Sequence, residues 1–344
     1  VGLEIIYEKA LYPELEYIFK HALTQEVAYD SLLKQRRQEI HGRIAQTIEQ
    51  IYGDRLEEHY EILAHHYERS ASHPKAVEYL ILAAEKSNRK GAVQTTREFA
   101  QRAIDLAETS GLQLDPTVQA TLYDLQARAS LHMGDLDSAI EGFEALLEIS
   151  RRHGMLKQEK RALKGIADIT VFDDSNEKTF RRLNEIRTWA RDHDAKDLES
   201  IAVTNLGFLW GRLGDLDRGL QVVNESEQLA MQTGKPGPIF SARLIRATME
   251  RWLGRPDKTI ELTEGVVELL RLRFGLSGLP AAIQIRGIAL AEVGRIEEAM
   301  AVIRTGIDLC EKYGAEYRLG ALYNCLRYCY GELHLPDRGW EHNV

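Results

Sequence analysis

Cysteine is almost missing: Cys310, Cys325 and Cys329 are the three among 344 residues. Three thiols gathered near one end cannot build a disulfide framework, which excludes the small secreted scaffolds and points to a reducing, cytoplasmic compartment. Long apolar runs are missing too. No stretch approaches the ~20 consecutive apolar residues that span a bilayer, and no charged-then-apolar leader opens the sequence, so no membrane partner is expected. Basic charge is in deficit, with 44 Lys and Arg against 53 Asp and Glu, a net charge of -9 and a pI near 5.7. Such a balance argues against a surface built to neutralise phosphates, and nucleic acid is not an expected partner, although a local basic groove stays open. Catalytic signatures are lacking as well. There is no nucleophilic triad, catalytic carboxylate pair or dinucleotide fingerprint, and "TGKPG" from Thr233 has neither the spacing nor the strand-then-helix setting of a phosphate loop. The many acidic residues fall on polar helix faces, where i,i+4 pairing and solvation account for them. No enzyme is expected in this segment, and no cofactor.

What the chain does have is a beat. "GDLDSA" from Gly134, "GDLDRG" from Gly214, "GRPDKT" from Gly254 and "GRIEEA" from Gly294 are separated by 80, 40 and 40 residues. The same step reaches "DSNEKT" at Asp174 and "HLPDRG" at His334. A second set of marks, Gly154, Asp194, Gly234 and Gly314, with Gly275 one residue late, keeps the same interval. Gly or Asp at such places takes the left-handed conformation that ends a helix, and the Asp that often follows caps the next one. Two interleaved stops per period mean two helices per period. Between them apolar residues recur at helical spacing, as in Ala139, Ile140, Phe143, Leu146 and Leu147, without strand-like alternation. One helix pair cannot bury its own apolar stripe, so the pairs must stack into a right-handed solenoid.

"NLGFLWGRLGDLDRG", with Leu206, Gly207, Trp210 and Gly214, carries a resemblance to the tetratricopeptide (TPR) family in a long-period form. Ala139 and Phe143, and Gly287 and Ala299, hold matching slots in other repeats, and the small residues Ala167, Gly207, Ala247 and Gly287 stand 40 apart. The resemblance covers roughly residues 54–344. It departs at Thr259, where Ala is usual, and in the 174 repeat, which lacks its Gly. The implied fold class is all-α, a TPR-like α-α superhelix of about 40-residue helix pairs. Residues 54–112, with "HPKAVEYLILAAEKS" and "TREFAQRAIDLAETSG", read as its first, irregular turns.

The start reads differently. "LEIIYE" and "LEYIFK" are short β-prone runs about Pro13, read as a hairpin, followed by one helix from about Leu23 to Tyr52. "FKHALTQEVAYDSLLKQRRQEIH" resembles the junction in bacterial signalling ATPases of the STAND type, including those fused to class III adenylate or guanylate cyclases. The resemblance implies that the hairpin is the wing of a winged-helix remnant and that an ATPase module lies upstream in cis. ATP or ADP would then be a cofactor of the parent protein. The phosphate-reading His of that family maps onto His21, followed by Ala22 where one form of the motif has Asp. The alternative is that Phe19, His21, Val27 and Tyr29 dock the hairpin on the first helix. Beginning at Val1 and ending at Val344, the chain reads as a piece of a longer protein. Three parts follow: 1–52, the winged-helix remnant; 53–112, the irregular repeats; and 113–344, the regular array.

Two clusters invite chemistry. His59, His65, His66 and His73 with Glu58, Glu61 and Glu68 suggest a metal, yet their spacings differ from the helical zinc signature, and a solvated helix face is the plainer reading. Cys325 and Cys329, four apart, suit either a soft metal or redox pair, or a buried apolar packing role. The array itself offers a groove, because the first helix of each TPR-like pair lines the concave side. Its expected residues begin with Asp124, Arg128 and His132, then Arg161, Lys164 and Asp168. Thr204, Phe208 and Arg212 follow, then Thr248, Arg251 and Trp252. Gln284 and Ile288, then Asn324, Tyr328 and Glu332, complete it. Arg128, Lys164, Arg212 and Arg251 fall along one path, interleaved with Phe172, Phe208 and Trp252. Cations beside aromatics suit a protein or peptide partner, or a small ligand, that carries an acidic group. Three functional readings follow: a sensor and scaffold arm of a larger signalling ATPase, a free-standing receptor for a small signalling peptide, and a cryptic metal-dependent hydrolase using the His59–His73 region. Self-association through uncapped solenoid ends is a further expectation.

Overall fold

A computed structural model describes residues 6–10, 16–19, 21–170, 176–264, 279–313 and 319–333. Pro13, Phe172, Asp174, Gly275, Gly314 and His334 lie outside the described residues. Contacts divide the chain into two units, Val1–Arg89 with Glu98–Leu114, and Lys90–Arg97 with Asp115–Val344.

In the first unit, β1 (Ile6–Ala10) pairs antiparallel with β2 (Glu16–Phe19), Ile6 opposite Phe19. The single helix expected over 23–52 is instead two, α1 (Ala22–Asp30) and α2 (Lys34–Ile51). The break has a local cause: Leu33 is extended (φ -58°, ψ 145°), and the Ser31 hydroxyl donates to the Ala28 carbonyl at 2.7 Å, competing with helix continuation. A 3₁₀ segment, Gly53–His59, leads to α3 (Tyr60–Glu68), α4 (His73–Arg89) and α5 (Val93–Ser110). Leu63, Tyr67, Leu80 and Ala83 bury the apolar stripe. At its edge the Glu49 carboxylate accepts from Tyr67 Oη at 2.7 Å and Tyr79 Oη at 2.5 Å, with Lys75 Nζ at 3.3 Å. Burial alone would raise the Glu49 pKa, but these donors outweigh it and hold the carboxyl below its usual range.

The second unit is a run of antiparallel helix pairs. The first helices are α6 (Pro116–Met133), α8 (Leu156–Thr170), α10 (Lys196–Arg212) and α12 (Pro236–Trp252). Their partners are α7 (Leu136–Arg152), α9 (Asn176–Asp192), α11 (Leu216–Thr233) and α13 (Pro256–Leu262). Beyond them come α14 (Leu279–Glu292), α15 (Ile296–Tyr313) and α16 (Leu319–Glu332). The stops behave as their residue types require. Gly214 sits at φ +91° and Asp194 at +48°, the non-Gly residue with positive φ among those described, since Asp tolerates the left-handed region better than most side chains. Asp135 and Asp215 cap the following helices by accepting from the Ser138 and Arg218 amides.

The 40-residue step sets the packing. Ala127, Ala167, Gly207, Ala247 and Gly287 on the first helices, and Ala139, Thr179, Gly219, Thr259 and Ala299 on the second, are all buried. These small positions let paired helices approach closely: a Cβ added at Gly207 would lie 2.5 Å from Val223, and one at Gly287 2.6 Å from Ile303. Thr259 fits where Ala is usual because its hydroxyl donates to the Ala247 carbonyl at 2.9 Å, which satisfies a buried polar group. Among the described residues no helix is long and apolar enough to cross a membrane.

Candidate functional site: the face of the first helices

Successive first helices are stitched together by charge at nearly the repeat interval. Asp124 on α6, 4% exposed, accepts from Arg128 at 3.1 Å and from Arg161 of α8 at 2.7 Å. Its second oxygen, Oδ1, is shielded from solvent and has no hydrogen-bond donor. Along α8, Lys164 bonds Asp168 at 2.8 Å, and this carboxylate holds the lysine above its ordinary pKa. Asp197 in the first turn of α10 lies between Lys160 of α8, at 2.5 Å, and Lys235 just before α12, at 2.6 Å. Burial alone would raise the Asp197 pKa, but the two ammonium groups outweigh it and bring the carboxyl down to about 2. His132 is exposed at the end of α6. Desolvation, then Arg128 and Lys164, lower its pKa, while Asp168 acts in the opposite sense.

Further along, Phe208 is half-buried, with its ring centroid 5.7 Å from that of Trp252. The Trp252 indole, 37% exposed, rests on Gly211, where an added Cβ would meet the ring at 3.0 Å. Arg251 donates to Glu292 of α14 at 2.9 Å, and its Nε is shielded and without a partner. Arg212, Asn324 and Tyr328 are exposed, Gln284 half-buried, and Ile288 packs against the last helices' core.

Two corrections concern the expected groove. Thr204 is fully buried, and its hydroxyl bonds the Ser200 carbonyl and the Ser226 hydroxyl; it joins α10 to α11 and does not line the face. Thr248 is also buried, donating to the Leu244 carbonyl. Thr204 thus belongs to the half of its helix that buries side chains against the paired helix, and Thr248 spends its hydroxyl on its own helix. Nor do the basic residues form an open row, because Arg128, Lys164 and Arg251 each hold a carboxylate. Lys160, Asp197 and Lys235 were missed by sequence reading. Their signal was spacing: 37 and 38 residues separate them, close to the 37 between Asp124 and Arg161.

Elsewhere, His21 is exposed ahead of α1 and caps nothing with its side chain. Phe19, Val27 and Tyr29 are exposed too, so they do not form the buried seam that docks a hairpin on a helix. The histidines of the candidate metal group are dispersed: His59 makes a tilted ring contact with Tyr52, His73 opens α4, and His65 and His66 meet His41 instead. Among the described residues no three His, Cys, Asp or Glu side chains converge as metal ligands. The three cysteines form no disulfide and are buried among α14–α16, and burial pushes the Cys325 thiol up to about 11, away from nucleophilic reactivity. A cleft of about 490 Å³ opens between α7, α8 and α9, floored by Ile140, Ile166 and Ile169 and edged by Lys178, Arg182 and Glu144; nothing in the repeat pattern announced it.

No family model matches the chain. An uncharacterized protein of Rhizobium meliloti (strain 1021) is 29% identical over 148 residues, 42% of this chain and 14% of the relative, so the chain spans a small part of that relative's length. Among solved structures, the apo form of the quorum sensor NprR from B. thuringiensis aligns with a TM-score of 0.59 at 14% identity, covering 93% of this chain and 89% of that one. A Rap protein complexed with competence and sporulation factor gives 0.59 at 13%, covering 93% and 96%. A tetratricopeptide repeat protein from Parabacteroides merdae ATCC 43184 gives 0.56 at 13%, covering 86% and 99%. Such identities speak to fold alone, and the fold they share with this chain is the TPR-like stack of helix pairs.

Proposed function

We propose that this chain is a non-enzymatic sensor and scaffold segment whose first-helix face takes a protein or peptide partner bearing an acidic group. One observation carries the reading. In the network joining α6 to α12, the five cations Arg128, Lys160, Arg161, Lys164 and Lys235 face the three carboxylates Asp124, Asp168 and Asp197. That is a local positive excess on a chain of net charge -9, and such a field attracts anionic partners. Trp252 and Phe208 supply an apolar and π-rich surface further along, suited to a side chain beside the acidic group. Likeness to a quorum sensor and to a Rap protein solved with competence and sporulation factor supports a binding role for this fold.

In this reading the segment belongs to a longer cytoplasmic signalling protein of the STAND type. The resemblance of residues 19–41 and the greater length of the Rhizobium relative support it. Partner binding on the array would shift how the winged-helix remnant, with His21 exposed beside the hairpin, meets an upstream ATPase module, a population shift set by differential affinity. A second reading, a free-standing receptor for a signalling peptide, is favoured by the alignment with NprR and Rap over most of their lengths. The complete reading frame of the gene separates the two.

Selection of a random peptide library on the immobilised chain tests the groove. Enriched peptides are expected to be acidic with an aromatic or apolar residue nearby, and to bind at least about tenfold more weakly to an Arg161→Glu variant, equivalent to about 1.4 kcal/mol. Enrichment of basic peptides, or affinity unchanged by Arg161→Glu, would contradict the proposal.

A further inference from the structure

Three imidazoles meet where α1, α2 and α3 join. His41 of α2 is 7% exposed. Its Nδ1 lies 2.9 Å from Nδ1 of His66 on α3, and its Nε2 lies 3.0 Å from the hydroxyl of Tyr29 on α1. His65 stands beside both rings, at centroid distances of 6.1 and 5.3 Å, and accepts a hydrogen bond from Arg69 at 2.9 Å. Helix α1 buries none of its own side chains. Its polar ties to α2 run through the Tyr29–His41 bond, the Arg37–Asp30 ion pair at 3.0 Å and the Arg37 guanidinium 5.0 Å from the centre of the Tyr29 ring.

From this arrangement we infer that the His41–His66 contact is a proton-operated joint: it holds α2 against α3 at neutral pH and loosens that seam on mild acidification. A nitrogen-to-nitrogen bond needs one donor and one acceptor, so His41 and His66 hold one proton between their facing atoms. With both rings doubly protonated, two N–H groups face each other at 2.9 Å, and the contact must break.

The surrounding charges act in the same sense. On α1 the facing groups are Tyr29 and Asp30, the latter engaged by Arg37. On α2 they are His41 and Arg37. On and just after α3 they are His65, His66, Glu68 and Arg69, and on α5 Arg102. Glu68, the carboxylate nearest His65, is engaged by Arg102. Three arginines thus face two carboxylates, and with the two ion pairs set aside Arg69 is the cation left beside the rings. Desolvation, then neighbouring imidazoles and Arg69, hold His41 below its ordinary value and bring His66 to about 4. The direction follows: imidazoles whose pKa is depressed while α2 and α3 are packed take up protons when the two helices part. Packing is complete above the ordinary histidine range and weakens as pH falls through it.

Hydrogen exchange of the full chain tests the joint, with rates corrected for the intrinsic effect of pH. Between about pH 7.5 and about pH 5, protection of residues 60–68 is expected to fall about tenfold, while α10 keeps its protection. Tyr29→Phe, which removes the hydroxyl and leaves the rings, is expected to keep the pH dependence, because the Tyr29 hydroxyl accepts from a protonated His41 as readily as it donates to a neutral one. His66→Gln, which keeps a polar group against His41 but takes no proton, is expected to lessen the pH dependence. Equal wild-type α3 protection at the two pH values overturns the inference, as does wild-type pH dependence in His66→Gln, or loss of protection in α10 to the same extent as in α3.

Discussion

Phe143→Ala is expected to destabilise the second unit by about 3–5 kcal/mol, the range for emptying a buried aromatic site. Phe143 on α7 is 1% exposed, and its ring occupies the space left by the missing side chain at Gly165 on α8. A Cβ there would sit 2.4–2.5 Å from three of its ring carbons. Ring and glycine are thus one complementary pair, and the two residues should couple. Gly165→Ala alone is destabilising by overpacking. In the Phe143→Ala background the same methyl group enters a cavity and adds little further loss. Urea denaturation of the two single variants and the double variant checks this through their midpoints. Additive losses would show that ring and glycine do not share the space.

Asp197→Asn is the second large effect, a loss of about 2 kcal/mol. The carboxyl titrates at about 2 against an ordinary value of 3.8. Each pH unit between those two values corresponds to about 1.4 kcal/mol, reduced somewhat because the group is partly exposed to solvent. The sign is that of a depressed acid: the stabilisation is present above about pH 4 and is lost as pH falls through the folded value. Wild-type stability should therefore drop between about pH 5 and about pH 2.5 more steeply than that of the Asn variant. Parallel pH profiles would mean that the Lys160–Asp197–Lys235 link contributes nothing across α8, α10 and α12.

How much of this could be read beforehand depended on whether the information was periodic. The stops at Gly134, Gly154, Asp194 and Gly214 were legible because a left-handed helix end restricts residue type at one position. The small slots at Ala167, Gly207, Ala247 and Gly287 were legible because close helix approach restricts size at one position. The interior of the face was harder. Thr204 and Thr248 sit at groove spacing, yet a buried Thr bonds its own helix carbonyl as readily as it faces solvent. Whether Arg128 or Arg251 stood open depended on carboxylates in another repeat or one turn away, a pairing that composition does not reveal. In the first unit there was no beat to follow. The break at Leu33 arose from one extended residue, and His41 was overlooked because its partners His65 and His66 lie 24 and 25 positions away.

The functional reading requires that a partner be held by the cationic network of the first helices and not by the outer helices. Peptides selected on the wild-type chain provide the probe, through fluorescence anisotropy against two charge-reversed variants. Lys160→Glu/Arg161→Glu alters the first-helix face; Arg182→Glu/Arg187→Glu alters α9, whose arginines bond Glu144 and Glu225 of the neighbouring second helices. Affinity is expected to fall about tenfold or more for the first variant, with a weaker salt dependence, and to change little for the second. Unchanged binding by the first variant together with loss in the second would place the partner on the opposite face and contradict the reading.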